Sequence, residues 1–279
     1  MRKIVVLLLL SMIGVMGLAF FDEARIKTGG NMVLEAFGIP PDTTNLANMV
    51  NFPNWYLSMN VDVLLTQVST PLNVFSFTVF QPYSQGFAGY IKLRKTLQAS
   101  EGYEFTYAVM GYIRENISYG LAISWCREPT ASSTPVDALE LDFGLRGMVG
   151  GVTAYHVYIK NFTLWSSRGM VEIGDVGAAA ELVEPVNLVA ELGVKRGDVW
   201  YAGAAGGFNI AKILYAQFGA TVNVSLSSPN KSTILLGGGV ELLLGGFDMS
   251  LGITGAVSES GGGCIPYKRA FTFGVKTIW

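Results

Sequence analysis

The sequence predicts an all-β chain: a transmembrane antiparallel β-barrel of about fourteen strands, preceded by a short, partly helical N-terminal segment. Three observations predict it. Only 14% of the 279 residues are charged, against roughly 25% in a typical soluble domain, and the mean hydropathy is +0.39. Beyond the N-terminal region no apolar run reaches the roughly 18 residues that a helical membrane span requires. From Trp55 onward apolar and polar residues alternate with period two, segment after segment. A greasy chain that cannot cross lipid as a helix can cross it as a closed sheet, because closure pairs every backbone N–H and C=O.

The chain divides into three parts. Residues 1–19 read as a cleaved signal peptide: Arg2 and Lys3 are followed by the apolar run Ile4–Met16, with small Gly17 and Ala19 before the expected cut. Residues 20–53 form a separate N-terminal segment. A short helix is expected over Asn31–Phe37, then a break at Pro40-Pro41-Asp42-Thr43 and a second, capped helix near Thr44–Val50. Such a segment lies below a barrel or enters its lumen as a plug. Residues 54–279 are the barrel.

The first strand sets Trp55, Leu57, Met59, Val61, Val63 and Leu65 against Ser58, Asn60, Asp62 and Thr66. In Tyr103–Ile113 the lipid set Tyr103, Phe105, Tyr107, Val109 and Ile113 opposes Glu104, Thr106 and Ala108. Ile117–Trp125 and Leu139–Leu145 repeat the pattern. So do Leu214–Val222 and Phe247–Ile253. Apolar residues toward lipid and polar ones toward the lumen are what a membrane strand needs. The stretch 170–212 is rich in Gly and Ala and resists this count by one or two strands. Its small side chains suit either a thin-walled lumen or close approach of a second barrel, which leaves a homo-trimer open.

Turn chemistry separates the segments at Pro71, Gln81-Pro82, Ser100-Glu101-Gly102, Glu115-Asn116, Gly150-Gly151, Glu184-Pro185, Arg196-Gly197-Asp198, Ser228-Pro229-Asn230 and Gly245-Gly246. Single-chain barrels keep their periplasmic turns short. Counting back from the C-terminus, the longer connections Arg127–Pro135, Asn161–Gly169, Ser227–Lys231 and Ser258–Pro266 all fall on the outer side. Trp55 and Trp279 then belong to the periplasmic aromatic girdle, and Trp125 and Trp200 to the outer one.

Charges within strands fall on the inward parity: Asp62, Lys92, Arg94, Glu104, Glu140, Asp142, Arg146, Glu191, Lys195, Glu241, Asp248 and Lys276, with Lys160 and Glu181 beside them. A charge on the lipid face costs ~2–4 kcal/mol near the midplane. The lumen is therefore polar, either as a wet passage or as a space closed by opposite charges pairing across strands. The net charge of −2 gives no reason to expect nucleic acid. No catalytic, cofactor or metal site is expected, because the single histidine, His156, has no nucleophile or second ligand at a diagnostic spacing. Cys126 and Cys264 both belong to the outer side, where a disulfide would pin the last loop, although several strands separate them.

The last strand places Phe271, Phe273, Val275 and the terminal Trp279 on one face. This resembles the C-terminal signal through which the barrel-assembly machinery inserts bacterial outer-membrane barrels. The resemblance implies the outer membrane as location and its lipid as partner. Fourteen strands behind an N-terminal segment also resemble the FadL-like long-chain fatty-acid transporters, whose N-terminal segment is a hatch in the lumen. Their Asn-Pro-Ala motif is absent here, with Asn45-Leu46-Ala47-Asn48 a loose echo. The expected function is a pore for passive diffusion of small polar solutes. The alternatives are a FadL-like transporter of hydrophobic molecules and a non-transporting structural or anchor barrel.

Overall fold

The computed structural model describes residues 46–66, 72–96, 102–128, 135–169, 174–182, 187–195, 197–211, 213–263 and 267–279. The expected signal peptide, the helix expected over Asn31–Phe37, and Cys264 lie outside them.

Period-two alternation yields fourteen strands: β1 (Tyr56–Thr66), β2 (Leu72–Ser84), β3 (Phe87–Thr96), β4 (Tyr103–Arg114), β5 (Ile117–Glu128), β6 (Val136–Val149) and β7 (Thr153–Ser166), then β8 (Asp175–Leu182), β9 (Asn187–Lys195), β10 (Val199–Ala211), β11 (Leu214–Ser225), β12 (Ser232–Leu243), β13 (Phe247–Ser260) and β14 (Tyr267–Ile278). Each pairs antiparallel with the next, and β14 pairs with β1 to close the barrel. Closure leaves no edge with unpaired N–H and C=O groups, which is the condition for a sheet in lipid.

The end where β1 begins and β14 finishes is here called proximal. Its turns are tight: Gln85-Gly86, Glu115-Asn116, residues 150–152 and residues 244–246. Positive φ angles serve several of these reversals, +53° at Gln85 and, on glycines that adopt them without steric cost, +63° and +75° at Gly150 and Gly151. The distal end holds longer connections, including the turn at 226–231 and those after Glu128 and Ser166. The longer connections fall at this end, as the sequence parity expects, but the three-residue β9–β10 connection beside them is as short as the proximal turns.

Two strands run further than their turn residues suggest. Gln81-Pro82 does not end β2, which continues to Ser84; Pro82 sits where the pairing with β3 slips between Gln81 and Ser84. A proline has no N–H for a ladder and is tolerated at such an irregularity. Likewise Asn161–Gly169 is not all loop, because β7 runs to Ser166. Asn161 adopts φ +57°, and its N–H is taken by Asp142 Oδ1 at 2.6 Å. The register shifts on either side of this bulge carry β7 on along β6. Trp165 is thereby placed on the outer surface beside the distal end, joining Trp125 and Trp200. The Gly/Ala-rich stretch forms three strands, β8, β9 and β10.

The outward row of each strand is apolar and exposed, as with Leu93, Phe105, Tyr107, Leu121, Ile123, Leu192, Phe218, Leu251 and Phe273. Trp55 and Trp279 meet at the proximal seam, where the Trp279 N–H donates to the Trp55 carbonyl at 3.1 Å. Residues 46–52 precede β1 and include one turn of helix, α1 (Leu46–Met49). They pack against the inner wall.

Candidate functional site: the barrel lumen

The proximal lumen is apolar. Leu46, Met49 and Val50 are buried together with Tyr56, Phe80, Ala88, Tyr90, Ala108, Met110 and Ala122, with Phe52 and Ile278 packed against them. Phe52 meets Tyr56 and Phe80 edge-on, with ring centroids 5.2 and 5.8 Å away, and Tyr56 stacks on Phe80 at 4.9 Å. Polar anchors fix the segment. The Ser118 hydroxyl donates to the Ala47 carbonyl at 2.7 Å, and the Tyr112 hydroxyl to Asn51 Oδ1 at 2.9 Å. Gly120 provides the seat: a Cβ there would collide with Leu46 Cβ and stand 2.8 Å from the Ala47 nitrogen. Aromatic side chains on the inward parity were not singled out from the sequence. Their phase was the available signal, since Tyr56 shares its parity with Ser58 and Asn60.

A charged belt lies around the wall. Arg94 Nη1 is 3.8 Å from Glu104 Oε2, and the other oxygen of that carboxylate accepts from the Thr106 hydroxyl at 2.8 Å. The Cys126 thiol donates to Glu140 Oε2 at 3.4 Å, and Cys126 is turned inward and buried. Arg146 and His156 converge on Glu181, at 3.8 and 2.9 Å. Lys276 reaches Glu241 at 2.9 Å and Asp248 at 3.2 Å, and its Nζ stands 5.9 Å from the centre of the Phe52 ring. Lys92, Glu140, Glu191 and Lys195 are buried, while Asp62 and Asp142 are half-buried. The pairing alternative is thus realised in several places, twice between strands that are not neighbours: Arg146 on β6 with Glu181 on β8, and Lys276 on β14 with Glu241 on β12.

Within this belt β7–β10 carry a row in register: Tyr158, Gly177, Gly193, Tyr201. The two tyrosines lean over the two glycines until their hydroxyls hydrogen-bond, and the Tyr158 hydroxyl also donates to Glu191 Oε2 at 3.0 Å. Lys195 Nζ stands 5.0 Å from the Tyr201 ring centre. Gly177 and Gly193 therefore face the lumen and make room for tyrosine. On the outside β8–β11 present Ala180, Ala190, Ala204 and Ala220 in one register row.

Of the C-terminal residues, Phe271, Phe273 and Trp279 are exposed on the outer surface and Val275 is half-buried. Among the described residues no three His, Cys, Asp or Glu gather as a metal site. In the distal loops Asp198 caps the turn after β11: Oδ1 accepts the Ser227 N–H at 3.0 Å, and Oδ2 the Ser225 hydroxyl at 3.4 Å. Hydrogen bonds from Ser227 hold the Asp198 carboxyl below its usual pKa, with Ser225 and Lys231 adding to the effect.

No family model matches the sequence, and no curated protein does. Solved structures do match in fold. The toluene transporter TbuX of Ralstonia pickettii superimposes with a TM-score of 0.59 at 9% identity, covering 94% of this chain and 98% of that one. A bacterial polysaccharide outer membrane secretin gives 0.56 at 9% identity over 81% and 98%. A FadL homologue of Pseudomonas aeruginosa gives 0.54 at 8% identity over 90% and 95%. With the strands closed on themselves, the apolar row turned outward and the charges turned in, the chain is, in fold, an outer-membrane β-barrel.

Proposed function

We propose that this chain is a gated outer-membrane channel for small hydrophobic molecules, closed by residues 20–53 acting as a plug. One observation carries the reading: residues 46–52 insert into the proximal lumen and bury Leu46, Met49 and Val50 against an apolar inner wall. A passage kept open for polar solutes has no use for Phe80 and Met110 on its inner face, whereas an apolar cargo finds its own chemistry there once the segment moves. Likeness in fold to a toluene transporter and to a FadL homologue supports the same assignment. A second reading, passive diffusion of small polar solutes, is favoured by the charged belt, in which Lys92, Glu104, Glu140, Glu191, Lys195 and Asp248 are all buried inside the barrel.

In this proposal residues 1–19 are the export signal, the proximal end faces the periplasm, and Phe271, Phe273, Val275 and Trp279 are read by the barrel-assembly machinery. A homo-trimer contact would fall on the outer alanine row. A Cys126–Cys264 disulfide would show as a change in electrophoretic mobility with reductant; equal mobility sinks it.

The test is single-channel conductance in planar bilayers of the intact mature protein beside a variant lacking residues 20–50. Silence in the intact protein with stable openings in the truncation supports the plug. Liposome uptake of toluene against a sugar of similar mass then separates the two cargo readings. Openings of equal size in both proteins overturn the plug, and silence in both overturns the channel.

A further inference from the structure

The outward rows of the strands hold few charges, and two cations share one of them. At the distal ends of β3–β6 that register row reads Lys95, Tyr103, Arg127, Asp137. The next row of the same parity, one step toward the proximal end, is Leu93, Phe105, Trp125, Leu139, Trp165. Of these, Leu93, Phe105, Trp125 and Trp165 are exposed on the outer surface. No other outward register row of the described strands holds two cations.

A charge on the lipid face is costly at mid-bilayer and nearly free close to the interface, and aromatic girdles mark the level of the headgroups. Lys95 and Arg127, directly distal to this aromatic row, therefore lie at headgroup depth with a platform for acyl chains beneath them. Their surroundings are ordered. Tyr103 packs on Trp125 with ring centroids 4.9 Å apart. Arg127 lies over the Tyr103 ring, its Cζ 6.0 Å from the centroid, and its Nη1 donates to the Tyr103 hydroxyl at 3.3 Å. That oxygen accepts, so the hydroxyl proton remains to be given. Asp137 stands 3.7 Å from Arg127 Nε, on the strand away from Lys95, and its N–H is held by the Ser167 hydroxyl at 3.1 Å. Two cations against one carboxylate leave the row net positive.

We propose that this row binds the phosphate monoester of a lipid headgroup. Lys95 and Arg127 flank the phosphate, the Tyr103 hydroxyl donates to it between them, and the acyl chains lie along Leu93, Phe105, Trp125 and Trp165. Neighbouring strands are ~5 Å apart, so the two cations straddle Tyr103 within reach of their long side chains. A monoester brings a charge of about −1.5 to −2 and three acceptor oxygens, matching donors from three adjacent strands through charge-assisted hydrogen bonds. A diester, with one charge and two free oxygens, matches them less well. In the orientation proposed above the row meets the outer leaflet. The inference needs only the barrel and its outward rows, so it stands apart from the channel and the plug.

The probe is lipid A, an acylated glucosamine disaccharide carrying phosphate monoesters, added to the full mature protein folded in detergent micelles. Native mass spectrometry reads the bound lipid, and heat-modifiable gel mobility confirms that each variant has closed its barrel. Lipid A is expected to bind more tightly than its dephosphorylated form and than phosphatidylglycerol, a diester. Lys95→Gln and Arg127→Gln should each weaken its binding about fivefold, as for one basic residue at an anionic lipid surface, and the double variant about twenty-fivefold. Arg269→Gln, which removes an exposed outward cation on β14, should leave binding unchanged. If Arg127→Gln fails to close, Lys95→Gln and Tyr103→Phe carry the test. Equal binding by the wild type and every folded variant of the row overturns the site, as does an equal loss in Arg269→Gln. Equal binding of the dephosphorylated lipid or of phosphatidylglycerol overturns the monoester.

Discussion

Tyr158 and Tyr201 stand in one register row with two glycines between them, and their hydroxyls meet over those glycines. The row braces three hairpin pairs of the wall with two side chains. A Cβ at Gly177 would stand 2.5 Å from Tyr158 Cζ, and one at Gly193 2.5 Å from the Tyr201 hydroxyl oxygen. Gly193→Val should therefore destabilise the barrel by ~1–3 kcal/mol through overpacking. The urea midpoint of the micelle-folded protein measures it. Adding Tyr201→Ala should recover part of the loss; simple additivity would mean that the two positions do not couple.

Lys276 holds Glu241 and Asp248 at once and overlooks Phe52. Lys276→Met leaves two carboxylates facing each other across β12–β13 without their cation. A drop in stability of ~3–5 kcal/mol is expected, the range for breaking a buried pair from one side. Replacing Glu241 and Asp248 by Gln and Asn in the same variant should restore much of it in the same urea titration.

Gly120 is the seat of Leu46. Gly120→Leu should displace residues 46–52 without touching the outer surface. The expected readout is more frequent openings in planar bilayers than for the wild type, and equal behaviour of the two would show that the segment tolerates the added bulk.

Leu251 and Phe273 are register partners on the outer face of β13 and β14. Leu251→Arg is expected to cost ~2–4 kcal/mol, as for a charge placed at mid-bilayer. Gly252→Ser, one residue along and facing inward, should cost less in the same folding titration into lipid vesicles.

The Asp198 carboxyl sits below its ordinary pKa because Ser227 hydrogen-bonds to its charged form. Its contribution to loop order is thus fully present above roughly pH 4, the unfolded value, and is lost as pH falls through the lower folded value. The Ser227 amide resonance should titrate in that acidic window and stop doing so in Asp198→Asn.

Alternation made β1, β4, β5, β6, β11 and β13 legible in the sequence, because one residue in two must face lipid. It failed where the rule is met by a neighbour's side chain. Gly177 and Gly193 look like gaps in β8 and β9, since the bulk over them comes from Tyr158 and Tyr201. It failed again at Asn161, where a bulge resets the parity and made the end of β7 read as loop. The inward direction of the charges could be read from phase, but their partners could not. Arg146 finds Glu181 across an intervening strand, a choice set by register and side-chain reach rather than by sequence spacing.

The seam between β1 and β14 also governs how the molecule comes to exist. Tyr56 pairs with Ile278 and Met59 with Val275, so the contact that completes the wall joins the most distant strands of the barrel. Contacts of such sequence separation form slowly, because the whole intervening loop must be closed first. Until then the nascent sheet carries two raw edges, each a template for pairing with another molecule. Assembly is therefore a race between the chain meeting its own far end and meeting a stranger, and a chaperone or a membrane surface that delays the second encounter decides the yield.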